Sequence, residues 1–527
     1  MKRLFSLLTA LTLVLTVLSA CSKTPETPEV DDEQSAVAGT VEKEQDTQKE
    51  PENLPNNKPQ NNQTQTQTPK PDSNTQVNTP TQSDDVDSED VSDGSSVSVV
   101  DKNTQEKNPN TSYQENVQTG LSDMVITEEF YDESELKLPR VDIKTFDGNA
   151  VTSKDTYTNA TIEVSNTLPK HNMAKTAVEI RGRGNSTWTR FDKKPYKIKF
   201  LMKTDLLGMG AAKKWVLLAN AFDDAMLRSA LAFELGKSLE IEFASEYRYV
   251  NVFINNKYEG VYIICEQQEE GETRVNINSS KSGEVDTGYF LEFCGDNIST
   301  KPQFKLPIVD GKFLSDTGYD RHRIYIHSPK TTALTEDQTN YIIDYTTQVN
   351  EAIFTRNWQK ITELCDIDSF VNMFIVDEVF LNNDCGYSFY MYKKAGGKLH
   401  LGPLWDFDQS AGNSEHGTAT FKGWYAGSNH KWYSELITMP EFKDLVKKRY
   451  LEKKDAIHGI IKRAEQIAID NKYDFAMSNY VHNNFGNKDR WRTIPEIYNL
   501  QSYSQHVNYL MTWLTNRLTW MEDQLGI

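Results

Sequence analysis

Cysteine is scarce in this chain, with 5 among 527 residues. Cys265, Cys294, Cys365 and Cys385 show no CxxC or CxxH spacing, which argues against a zinc site. Four scattered cysteines allow one or two disulfides, or none; Cys265 and Cys294 lie in apolar strand-like runs and read as buried thiols. Long apolar stretches are also missing. After Leu4–Val17 no run is long enough to span a bilayer, and no repeat period is visible. From Ser22 to about Gly120 large apolar residues nearly vanish, leaving Pro, Thr, Gln, Asn, Ser and acids, as in Asn61-Asn62-Gln63-Thr64-Gln65-Thr66. Such a segment cannot bury enough surface to offset its ordering entropy, so it is expected to be disordered. The formal net charge is −19, and by residue count roughly −13 of it falls in this segment. The acidity therefore describes the tether, and no nucleic-acid partner is expected.

The first residues carry a basic head (Lys2, Arg3), a short apolar segment and then Leu18-Ser19-Ala20-Cys21, which reads as an export signal over residues 1–20. The Leu-Ser-Ala-Cys end resembles the bacterial lipobox. That resemblance implies cleavage before Cys21, acylation of its thiol, and attachment to the extracytoplasmic face of the cell membrane. The alternative is an ordinary secretory signal followed by a chance cysteine. Residues 21–120 would form a tether of about 100 residues, reaching on the order of 50–60 Å.

Residues 121–527 differ sharply, being rich in Trp, Tyr, Phe, Ile and Leu and ample for a large core. Ala177–Arg181 and Lys194–Phe200 read as strands around the turn Gly182-Arg183-Gly184, with Lys197 and Lys199 on one face of the second. Asp223 and Asp224 offer caps for a helix over Ala225–Ser238, and Arg228 is expected to pair with a neighbouring acid. A hairpin follows over Tyr247–Ile254 and Tyr258–Glu266. Thr287–Phe293 and His322–His327 are read as continuing the same sheet. Helical patterns then cover Asp337–Thr355, Ile367–Leu381, Tyr433–Leu436, Pro440–Asn471 and Tyr503–Asp523. Strands first and helices later predict an α+β architecture, with a sheet-rich N-terminal lobe, a helical C-terminal lobe, and a ligand cleft between them.

The most informative stretch is Leu381–Asn413, LNNDCGYSFYMYKKAGGKLHLGPLWDFDQSAGN. Asp384 closes the helical run, and two strands follow around Gly396-Gly397. The second runs into Trp405-Asp406-Phe407-Asp408. Antiparallel pairing would gather the three acids at the mouth of the hairpin, a place to hold a divalent metal and position a hydroxyl. Each acid also has a plainer reading: Asp384 as a turn residue, Asp406 and Asp408 as solvated strand ends or a structural calcium site.

With IRGRGNSTW and KKPYKIKF, AAKKWVLLANAFDDAMLRSALAFELG, and YEGVYIICEQ in this order, the chain resembles the CotH kinase family, named for a spore-coat protein. The resemblance covers most of residues 121–527. It implies an atypical protein-kinase-like fold that binds ATP with Mg2+ or Mn2+ and phosphorylates protein Ser or Thr. Asp384 resembles the catalytic Asp that orients the attacking hydroxyl. Asp406 resembles the metal-binding Asp, with Asp408 pointing the same way along a strand and able to share or replace that role. Lys197 is the candidate phosphate-contacting lysine, Lys199 the second choice, and Glu266 a candidate partner for it; Arg181 and Arg183 could contact phosphate. The chain departs from ordinary kinases at Phe389, where an Asn ligand to a second metal is usual; Ser388 and Asn413 are polar substitutes. The Gly-Arg-Gly turn is not a full glycine-rich loop, and no His-Arg-Asp is present.

Two other functions fit the same residues. A surface, spore-coat or cell-wall binding module could keep the fold and use the acids for Ca2+. A glycan hydrolase could use paired carboxylates and the many aromatics, given a suitable separation of the acids, though Trp188, Trp405 and Trp424 read as core or cleft walls and not as a sugar platform.

Overall fold

A computed structural model describes residues 112–279, 284–294, 301–312, 323–415, 419–487 and 493–527. The export signal, Cys21 and most of the expected tether lie outside them. All described residues belong to one unit, Ser96–Ile527. Ordered structure begins before the expected boundary at Leu121. The Gln114 and Val117 amides donate to Asn516 and Thr512 at 2.6 and 2.8 Å, and the Gly120 amide donates to Glu465 at 2.8 Å.

Seven strands form a closed barrel: β1 (Arg140–Thr145), β2 (Thr158–Ser165), β3 (Met173–Gly182), β4 (Tyr196–Asp205), β5 (Ala211–Leu218), β6 (Tyr247–Ile254) and β7 (Lys257–Glu266), in the order β1-β2-β3-β4-β5-β7-β6. Neighbours are antiparallel except β1 and β6, whose parallel pairing closes the barrel. Alternation fills the interior: Ile180 pairs with Ile198, and Ile198 with Trp215, all fully buried. The β6–β7 turn uses Asn255 and Asn256 in the left-handed region, as a tight hairpin requires. The outer face of β5 and β7 is apolar as well. Val216, Val261, Ile263 and Cys265 join the helical core there, which explains the nearly unbroken apolar run of β7.

The expected continuation of that sheet is not what forms. β8 (Tyr289–Cys294), β9 (Gln303–Phe304) and β10 (Arg323–Ser328) join β11 (Phe389–Lys393) and β12 (Leu399–Leu401) in a second sheet ordered β12-β11-β8-β10-β9. A closed barrel leaves no free edge to extend, so these strands pair with the later hairpin.

The larger helices are α1 (Arg228–Ser238), α2 (Glu336–Phe354), α3 (Ile367–Phe380), α4 (Pro440–Glu452), α5 (Lys454–Asp470), α6 (Lys472–Val481) and α7 (Tyr503–Leu525). Thr335 and Gln338 form a reciprocal capping box at the start of α2. The helix expected over Pro440–Asn471 is two helices, broken at Lys453. α3 is apolar on every side and buried from Phe370 to Phe380, the pattern of a helix in the middle of a core. It packs against α1, α4, α7 and β12 and delivers the chain to Asp384.

Candidate functional site

α3 ends abruptly. Leu381 takes a left-handed conformation (φ 47°, ψ 57°), which no side chain favours and which costs about 1 kcal/mol or more. The chain turns there, and the Tyr387 amide closes a further turn on the Asp384 carbonyl at 2.9 Å. Ser388 follows, and its hydroxyl donates to Asp406 Oδ2 at 3.2 Å. This bond joins the two open ends of the β11–β12 hairpin, whose register pairs Met391 with Leu401 and Lys393 with Leu399.

Beyond β12 the chain does not stay extended. Asp406 has φ 66° and Ala411 φ 45°, and the Ser410 amide turns back to the Phe407 carbonyl at 3.2 Å. Asp406 and Asp408 are therefore not alternate residues of one strand, and the expectation that strand geometry aligns them does not hold. The acids still share a field. Asp408 is raised well above the ordinary carboxylate range, first by burial and then by the negative charges of Asp406, Asp384 and Asp223. Asp406 is raised too, by burial and by Glu292, against the pull of Arg183 and Ser388. Asp406 is nonetheless open to solvent and Asp408 half-buried.

The loop that carries these acids is held from behind. Asp223 and Arg228 form a buried ion pair. From just upstream of α1, Asp223 accepts the amides of Leu227 and Arg228 at its start, at 2.9 and 2.8 Å, satisfying two donors that the helix leaves open. The Arg228 guanidinium donates to the carbonyls of Ser410 and Ala411 at 2.9 and 3.0 Å. Asn413 donates to the carbonyls of Phe222 and Asp408 at 2.8 and 2.7 Å. The expected pairing of Arg228 with an acid is present. Its grip on the acidic loop was not readable from sequence, because the two segments lie about 180 residues apart.

Arg183 lies over the Trp405 ring, 5.4 Å from its centroid, and Trp405 stacks on Phe233 of α1 at 6.5 Å. Its charge favours ionisation of both Asp406 and Asp408. The Gly-Arg-Gly turn has a packing reason. A Cβ on Gly182 would meet the Trp188 ring at 2.3 Å, so only glycine lets this ring lie against the turn that carries Arg183.

The other basic candidates sit on the barrel. Lys197 is buried, 7% exposed, in a cross-strand row with Arg181, Val216 and Cys265. Val216 and Cys265 belong to the same apolar cluster as Trp405 and Phe407, so this row faces the body that carries the acids. Lys199 pairs with Glu179 at 3.3 Å and lies 5.4 Å from the Tyr157 ring centroid. Arg181 also lies over Tyr157 and donates to the Lys154 carbonyl. Glu266 is placed differently from the expectation. It pairs across the sheet with Trp215, on the opposite face from Lys197. Its carboxylate accepts the Glu246 amide at 3.0 Å; burial raises its pKa, and Arg274 is its strongest opposing cation.

Among the described residues no three His, Cys, Asp or Glu side chains form a metal-holding group. Two other recesses lie away from the acids, about 320 Å3 beside Glu234 and Arg463 and about 830 Å3 beside Lys257 and His482. The chemistry-bearing groups converge instead where the β3–β4 turn, the end of α3 and the β11–β12 hairpin meet.

The CotH kinase protein family model matches residues 180–521, more than half of the chain, including the β3–β4 turn, α1, α3 and the β11–β12 hairpin. The chain belongs to the CotH kinase family. No curated protein matches it. Within the CotH domain, Asp384, Asp406, Asp408 and Arg183 are the sequence-predicted residues that one shared field links. Asp223, Glu292 and the loop-holding role of Arg228 are additions; Glu292 gave no sequence signal, lying in an otherwise apolar strand.

Proposed function

We propose that the CotH domain is a protein kinase that transfers the γ-phosphoryl group of ATP to Ser or Thr hydroxyls of surface, envelope or spore-coat proteins. The observation that carries this reading is the gathering of acids at the hairpin mouth: the Ser388 hydroxyl, just past Asp384, donates to Asp406 at 3.2 Å, the charges of Asp406 and Asp384 both act on Asp408, and Arg183, seated on Trp405, acts on Asp406 and Asp408. Three carboxylates so placed cannot all ionise cheaply, and a divalent cation relieves that repulsion. Asp406 and Asp408 would hold Mg2+ or Mn2+, with Ser388 supporting Asp406. Magnesium commonly takes one or two carboxylates and completes its shell with phosphate oxygens and water, so hard oxygen donors in this number suit it. Bound Mg-ATP supplies the phosphoryl group and neutralises its developing charge.

The chain's own residues do the rest. Asp384 orients the acceptor hydroxyl and takes its proton. Arg183 and Lys197 contact phosphate oxygens, with Arg181 and Lys199 further along the barrel. In this reading the barrel serves as the sheet-rich lobe of a kinase-like pair and the helices as the other. The domain would be tethered to the extracytoplasmic face of the membrane through acylated Cys21.

A second reading draws on Phe389. It is buried against His430 and Tyr433, with ring centroids at 4.6 and 6.2 Å, and offers no ligand to a second metal. That supports a binding module that keeps the fold and uses the acids for Ca2+.

Labelled phosphate transfer from γ-labelled ATP to a Ser/Thr-rich acceptor, with Mg2+ or Mn2+, tests the kinase. Asp384→Ala should cut the rate at least about a hundredfold. Equal labelling by both proteins would remove Asp384 from the mechanism.

A further inference from the structure

Asp377 lies in the last turn of α3, 1% exposed, and Asn382 just beyond it is 2% exposed. The Asn382 amide group donates from Nδ2 to Asp377 Oδ1 at 3.0 Å. Its Oδ1 then faces the other way and accepts the backbone N–H of Asp384 at 3.1 Å. The backbone reinforces the same turn: the Asn382 N–H donates to the Asp377 carbonyl at 2.8 Å, and the Cys385 N–H to the Asn382 carbonyl at 3.4 Å. An Asn side chain has a donor end and an acceptor end, and only one orientation serves both contacts. The carboxyl at 377 selects that orientation.

We propose that Asp377 is a positioning residue for Asp384, acting through the side chain of Asn382. The functional meaning rests on the kinase reading of Asp384; the structural coupling does not. Asp377 suits the task as a neutral acid. Its Oδ2 is buried without a hydrogen-bond partner, so a bare carboxylate there would be an uncompensated buried charge. Burial pushes its pKa up to about 8, with Asn382 opposing and Glu378 adding to the rise. A carboxyl kept neutral by an apolar site still orients a neighbour by hydrogen bonding.

The test uses Asp377→Ala, Asp377→Asn and Asn382→Ala in the otherwise intact protein, checked for folding by thermal unfolding. Asp377→Ala and Asn382→Ala should each lower kcat about tenfold with little change in KM for ATP. Because both act on one path, the double variant should fall no further than either single one. Asp377→Asn, which keeps the shape and an acceptor oxygen, should restore most of the rate. Hydrogen–deuterium exchange over residues 381–388 gives a readout that needs no activity. Protection should be lost in the two Ala variants and kept in Asp377→Asn. A folded Asp377→Ala protein with unchanged exchange there would overturn the inference, even if no transfer is found. Unchanged transfer in a folded Asp377→Ala protein would overturn it as well. Loss of transfer in the parent protein with the exchange pattern intact would count against the kinase reading and not against the coupling.

Discussion

Arg183 is the one residue of the barrel turn whose charge reaches both Asp406 and Asp408, and it does so from a seat on Trp405. Replacing it with Ala removes the cation that favours their ionised forms and the stacking contact, worth about 0.5–1 kcal/mol at an exposed site. Arg183→Ala should weaken Mg-ATP binding by about tenfold, with a smaller effect on thermal stability. Calorimetric titration checks this, and unchanged affinity would separate Arg183 from the phosphate. At this scale the sequence was informative about identity and less so about direction. Asp384, Asp406 and Asp408 stand out because they flank the two open ends of one hairpin and fall on the CotH-like segment. That Asp408 reaches the others through a turn and not along a strand depends on the left-handed conformation of Asp406, which an aspartate adopts more readily than most side chains but which its position after a strand does not announce. Glu266 could be placed on a strand from sequence, but its face depended on a register only the closed barrel fixes.

α3 is where local pattern and role diverge most. Its run from Phe370 to Phe380 reads as core, and it is core, yet it includes two buried acids. Glu378 is satisfied by Arg517 of α7 at 2.8 Å, both side chains fully buried. Burial raises Glu378 and lowers Arg517 to about 10, so the pair is held against a desolvation cost. Asp377 has no such cation. The charge that acts on it is that of Glu378, which raises it further; the Cys385 thiol and the Tyr433 phenol also feel it, and both stay neutral because burial raises them. The consequence for stability has a definite sign. Between its ordinary value of 3.8 and about 8, the native protein holds a proton on Asp377 that the unfolded chain releases. Native protein thus binds more protons there, and stability falls as pH rises, by up to about 1.4 kcal/mol per pH unit from this group. Asp377→Asn removes that dependence. Its stability relative to the parent should climb from pH 4 to about 8 and level off above it, as urea unfolding at several pH values would measure. A parallel pair of curves would show that Asp377 is ionised in the native state. The element-scale reading of the sequence erred for a related reason. Strand pattern marks β8 and β10 as buried sheet, but partner choice is a non-local property, and closure of the barrel decides it.

The candidate site draws on three parts of the molecule: the β3–β4 turn of the barrel, the end of the buried helix α3, and the hairpin of the second sheet. Sequence order alone conveyed that strands precede helices. It could not convey that Asp223, Asp384 and Asp406 act together on Asp408 at this junction, since the Arg228 contacts that set it bridge distant segments. A ligand held at such a junction should stabilise barrel and helices together. With Mg-ATP at about a hundred times its dissociation constant, binding contributes about 2.7 kcal/mol, and the unfolding midpoint should rise by roughly 2–5 °C as one transition. Asp406→Ala should abolish that rise, because it would remove a proposed cation ligand without emptying the core: Asp406 is open to solvent. Calcium without nucleotide distinguishes the alternatives. A rise with Mg-ATP and none with Ca2+ favours phosphoryl transfer, in which cation and triphosphate bind as a unit. An equal rise with Ca2+ alone, lost in Asp406→Ala and unaffected by nucleotide, favours a binding module built on the same acids. A rise with Mg-ATP that shifts only part of a split transition would mean that the barrel does not share the site, and Arg183 would then have no claim on the phosphate.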